Sequence, residues 1–201
     1  QKVEKTRAKR DFGALKPLLT QISKNFPDHP SATKAAGLLE PNPFLAVERV
    51  TDRGVRANRI NLVISGDGYR VADQGNFRKS ADMALKFFFQ EEPLRTYQNF
   101  FNVDYLYMAS KEERIPEGGA EADSAWKAQA GGGAGQVGVP LEHARTEVKE
   151  HVPDWGTLLV IAQGGKLGRG WLGADVCAMS PNGMVVAYHE FGHSFACLLD
   201  E

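Results

Sequence analysis

Apolar residues along this chain cluster in two ways, as short unbroken runs and as residues spaced by three and four. Ile60 to Ile64 is a β-branched apolar run, as expected of a strand buried on both faces. Thr157 to Ala162 is another, and Ala174 to Met179 reads as a further strand. Phe101 to Ala109 sets Val103, Tyr105 and Tyr107 against Asp104 and Leu106, which also argues a strand. Ala72 to Gln90 carries the helical period instead, and offers Phe77, Met83, Leu85, Phe87 and Phe88 to a core. Nearer the start, Phe12, Leu15, Leu18, Leu19 and Ile22 recur at helical spacing; Pro27 and Pro30 end that helix, and a shorter one is expected from Ser31 to Leu39. Pro41 and Pro43 read as a linker. The pattern therefore predicts a helical segment with its linker over 1–50 and an α/β domain over 55–201, its mixed sheet largely parallel in the centre.

The glycine-rich stretches have no phosphate-loop chemistry. Gly131-Gly132-Gly133-Ala134-Gly135 with Gly138, and Gly164-Gly165 with Gly168 and Gly170, lack the Lys-Ser/Thr pair and the strand-to-helix placement such a loop needs, so both are expected to be flexible loops. The second follows one strand and precedes another that is expected at the sheet edge, which would let it border a substrate cleft. Ser65-Gly66-Asp67-Gly68-Tyr69 reads as a structural turn, with Asp67 accepting backbone hydrogen bonds. His29, His143 and His151 sit in polar contexts and are expected on the surface.

The segment from Met184 to Leu199 is apolar nearly all round, which predicts a buried helix. It contains His189-Glu190-Phe191-Gly192-His193. Residues four apart lie on one helix face, roughly 40° apart around the axis and about 6 Å along it. Two neutral imidazoles at that spacing can point ring nitrogens at one zinc ion about 2.1 Å away, and Glu190 sits over the same place without having to ligate. A zinc ion there would lower the pKa of a water to roughly 7, and Glu190 would take its proton as general base. Asp200, seven residues past His193, shares the face, but a straight helix would leave it about 16 Å from His189. It reaches the metal only if the helix breaks near Ala196 or Cys197, where no glycine marks a break. Glu201 competes for the role, as does some residue further along.

These residues carry a family resemblance. His189-Glu190-Phe191-Gly192-His193-Ser194-Phe195-Ala196 with Leu199-Asp200-Glu201 resembles the zinc-site segment of the bacterial IgA-peptidase family of metalloendopeptidases. Asn61-Leu62-Val63-Ile64-Ser65-Gly66-Asp67-Gly68-Tyr69, Glu92-Pro93, and Tyr97 with Phe101-Asn102-Val103 resemble, in the same order, the opening of that family's catalytic domain. The resemblance implies a zincin-like fold with an active-site helix, one catalytic Zn2+, endopeptidase action on a protein or peptide substrate, His189 and His193 as ligands and Glu190 as base. It also implies export after removal of a signal peptide, and a further C-terminal portion completing the domain. Family members usually have Gly where this chain has Cys197, and Asp200 resembles the third ligand of metzincins displaced by one residue, which favours it over Glu201.

Composition narrows the alternatives. At 201 residues, 42% hydrophobic and a formal net charge of −1, the chain can bury a sizeable core and shows no bias toward nucleic acid or an anionic membrane. No run of about 18 apolar residues is present, so no transmembrane helix is expected. The basic stretch Lys2 to Arg10 reads as a solvated terminus. Cys177 and Cys197 permit one disulfide, and Cys197 also reads as an ordinary buried thiol. Two rival functions stand beside a zinc endopeptidase. One is a zinc-binding but inactive protein- or glycan-binding module of the same fold; the other is a metal-free hydrolase using the histidines with Cys197.

Overall fold

The computed structural model describes residues 15–37, 39, 44–120, 122–131 and 135–200. Lys2 to Arg10, Phe12, Pro41, Pro43, Gly132 to Ala134 and Glu201 lie outside them. The architecture is α/β, built on a six-stranded mixed sheet. Helices α1 (Leu15–Asn25) and α2 (Pro30–Gly37) come first. They are followed by β1 (Phe44–Thr51), β2 (Ile60–Asp67), α3 (Gln74–Phe88), the short α4 (Leu94–Tyr97) and β3 (Phe101–Met108). After the two-stranded ribbon of β4 (Gln129–Gly131) and β5 (Gln136–Gly138) come α5 (Leu141–His151), β6 (Thr157–Ala162), β7 (Arg169–Gly170) and β8 (Val176–Met179). A 3-10 turn, Pro181–Val186, leads into α6 (Ala187–Ala196).

The sheet order is β1-β3-β2-β6-β8-β7. The four central strands are parallel, with Leu62 opposite Val103 on one side and Thr157 on the other, while β1 and β7 close the two edges antiparallel. Central strands buried on both faces need apolar residues at nearly every position. Accordingly β3 and β6 are buried throughout. Alternate residues feed two cores. On one face Leu62, Ile64, Tyr105, Tyr107, Leu159, Ile161 and Met179 meet Phe77, Ala81, Ala84 and Phe88 of α3, together with Ala187 and Phe191 of α6. On the other, Val63, Leu106, Leu158, Val160 and Ala178 meet Trp126, Val137, and Ala144 and Val148 of α5.

Several expectations need correction. The linker gives way at Phe44 to β1, an eight-residue strand paired with β3. β8 is interior, because the two residues of β7 cover its outer side. The glycine stretches are not simply loops: Gly131, Gly138 and Gly170 belong to strands. β2 runs on through Ser65, Gly66 and Asp67, so the turn begins only at Gly68, where φ is +73°. Met83 points outward, 50% exposed, while Phe77 and Phe88 fill the core. His143 is half-buried and bonds the carbonyl of Ala125, and His151 stacks on Phe44 with ring centroids 4.3 Å apart; only His29 is exposed as expected.

Candidate metal centre

Helix α6 owes its place to one face and its chemistry to the other. Ala187, Phe191 and Ser194, spaced by four and three, are buried against the sheet and α3. Phe191 packs edge-on against Phe88 at 4.9 Å. Residues two positions from Phe191 are rotated by roughly 200°, so His189 and His193 share the opposite side. That side is open: His189 is exposed, and so are Leu198 and Leu199 just beyond the helix, the last at 74%, while Tyr188 and Phe195 are exposed elsewhere on the helix surface. The expectation of a helix buried all round is therefore wrong, as is its length. Six residues form the 3-10 turn, and the α-helix ends at Ala196.

The end of the helix brings Asp200 home. Cys197 adopts the left-handed conformation, φ 55° and ψ 30°, and the backbone N–H groups of Cys197 and Leu198 both donate to the carbonyl of Gly192. The chain thus folds back over the last turn. Asp200 Oδ1 lies 3.1 Å from His189 Nε2 and 3.3 Å from His193 Nε2, and the two Nε2 atoms are 3.0 Å apart. Three ligands bound about 2.1 Å from one tetrahedral zinc would stand roughly 3.4 Å from each other, so this triangle has the size such an ion demands. His193 Nδ1 lies 2.6 Å from the carbonyl of Leu198. A carbonyl only accepts, so Nδ1 carries the proton and the Nε2 lone pair is left for a metal. Among the described residues, Glu147, Glu150 and His151 form a second metal-competent group.

Glu190 is held from the edge of the sheet. The backbone N–H of Gly170 in β7 donates to its carboxylate. Burial pushes the carboxyl above its ordinary range; that donor and the two histidines oppose the shift, and Asp200 adds to it. The close fit explains the two glycines of this edge. A Cβ on Gly170 would stand 2.1 Å from the Glu190 carbonyl oxygen, and one on Gly168 would stand 2.9 Å from Glu190 Cγ. Sequence reading missed this contact; the Gly-x-Gly spacing ahead of a buried strand was the available signal.

The two cysteines are free, so no disulfide links them. Cys177 is buried beneath α6, and burial pushes its thiol up to about 12. A thiol so protonated is a poor nucleophile. Cys197 is exposed rather than buried, contrary to the sequence reading.

An α/β sheet carrying a helix with two histidines, a glutamate and a returning aspartate defines the class of a candidate metallopeptidase. The family model described as IgA Peptidase M64 matches residues 49–201, and the chain belongs to that family of peptidases. No curated protein matches the chain.

Proposed function

We propose that the chain is a zinc-dependent endopeptidase in which His189, His193 and Asp200 hold the metal and Glu190 is the general base. The observation that carries this reading is the triangle of ligand atoms, with Glu190 one residue from the first ligand and fixed by Gly170. When bound, zinc supplies Lewis acidity, polarising the scissile carbonyl and lowering the pKa of a water to roughly 7. Glu190 takes the proton from the attacking water, then delivers it to the leaving amine. The backbone N–H of Gly170 orients that carboxylate from the edge of the sheet. His193 keeps its orientation through Leu198, and the bend at Cys197 keeps Asp200 within reach. A protein or peptide substrate follows from the family, and export is part of the same proposal.

The test is Glu190→Gln, which keeps the shape and removes the base. Hydrolysis of a protein substrate should fall by roughly 10² or more, with zinc content by atomic absorption unchanged. His189→Ala should lose the metal instead, since two ligands do not make a stable site. Stoichiometric zinc with no hydrolysis by the native chain would favour the inactive binding module, and undiminished activity in Glu190→Gln would overturn the base.

A further inference from the structure

A second site lies at the carboxyl ends of β2 and β6, and it shares no residue with the metal centre. A cavity of about 300 Å³ opens there, bordered by Asn76, Arg114, Gln163, Gly164, Gly165 and Asn182. From β2 the chain passes through α3 to β3 on one side, and from β6 it passes to β8 on the other. The strand order therefore reverses between them, and in open α/β sheets ligands settle in the crevice outside such a reversal.

The lining is rich in donors. No acidic side chain borders the cavity among the described residues. Arg114 makes no ion pair with any described residue, unlike the neighbouring Arg70, which pairs with Asp73 and Glu113. Its backbone is fixed: the N–H donates to the carbonyl of Gly68 at 2.9 Å, and φ is +73°, a region a non-glycine residue enters only when its surroundings impose it. Gln163 adds a side-chain amide to the lining. The N–H groups of Gly164 and Gly165 make no hydrogen bond among the described residues.

We propose that this cavity binds the carboxylate of a small monoanion, with Arg114 as its counter-ion. The planar guanidinium matches a carboxylate in two parallel hydrogen bonds, and the neutral amides complete the shell. One cation balances one negative charge. A phosphate monoester, at about −1.5 to −2 near neutrality, would remain unneutralised. At about 30 Å³ per liquid water, the space accommodates a ligand of about ten non-hydrogen atoms.

The test is titration of the full chain with N-acetylalanine, followed by amide NMR. The signals of Gly164 and Gly165 should shift saturably, with a Kd on the order of 1–10 mM for a ligand this small. Arg114→Gln should weaken binding by roughly tenfold or more. Asn76→Asp, a change at an exposed helical position that adds a like charge, should weaken it too. N-acetylalaninamide, without the carboxylate, should give no saturable shift. The native affinity should persist in Glu190→Gln, so a failure of the peptidase reading leaves this result standing. No saturable shift with N-acetylalanine would overturn the site, as would equal affinity in Arg114→Gln. Tighter binding of inorganic phosphate would overturn the carboxylate assignment.

Discussion

Cys197 carries a left-handed backbone, a conformation that costs a residue with a Cβ roughly 1–2 kcal/mol. Glycine enters it freely but loses more entropy on folding, about 0.4–1 kcal/mol. Cys197→Gly should therefore stabilise the chain by about 0.5–1 kcal/mol, seen as a rise of a few degrees or less in thermal unfolding. No change, or a fall, would mean that the bend is held by other contacts. The same residue explains what local reading could and could not see. His189, Glu190 and His193 are legible from spacing, because an α-helix converts a separation of four into proximity. Asp200 was not legible in that way: its return depends on one backbone dihedral, at a residue whose type does not announce it. Thiol chemistry separates the two cysteines at this scale as well. Burial holds the folded Cys177 pKa at about 12, above an ordinary thiol, so the thiolate forms only as pH rises toward that value. At pH 8, iodoacetamide should modify one thiol per folded chain, at the exposed Cys197, and two after unfolding in guanidinium.

Among elements, the central strands and α3 were legible because burial on two faces, or on one stripe, leaves an unmistakable period. The edges were not. β1 alternates buried and open positions irregularly, with two register shifts against β3, and it follows two prolines. β7 is two residues long and half glycine, too short for any periodicity. Yet this shortest strand is the one that touches Glu190. Gly170→Val would press a branched side chain into the backbone of α6, where even a Cβ has 2.1 Å. Overpacking of this kind costs typically 1–3 kcal/mol. Because the displaced atoms are those of Glu190, hydrolysis should fall more steeply than stability, as measured by kcat beside urea unfolding. Equal loss in Lys166→Val, an exposed position in the same connection, would refute the local explanation.

At the scale of the whole molecule, Asp67 joins the sheet to the long connection that follows β3. Its fully buried carboxylate accepts from Ser124 Oγ at 2.7 Å, the Ala128 N–H at 2.8 Å and Ser110 Oγ at 3.1 Å. Burial raises its pKa, against the lowering effect of these donors. The turn read at this position placed Asp67 correctly as an acceptor of backbone hydrogen bonds, but its partners lie some sixty residues on, beyond any local pattern. Asp67→Ala would strand those donors in the core, at roughly 1–3 kcal/mol each. A loss of at least about 3 kcal/mol is expected in denaturant unfolding, with residues 110–128 the first to lose amide protection. Uniform loss of protection would show that the carboxylate supports the sheet alone.

The parallel order of the central strands also sets a timetable. Leu62 meets Val103 after 41 residues of chain but meets Thr157 only after 95, and closing longer loops slows the step that requires them. The β1–β3–β2 half of the sheet can therefore assemble while β6 is still unpaired. β8 needs β6, β7 needs β8, and the carboxylate of Glu190 finds its donor only once β7 is laid down. In pulsed hydrogen exchange during refolding, the amides of β2 and β3 should become protected first and those of β8 and α6 last. Reactive geometry would then arise at the end of folding, when little mobile chain remains near it.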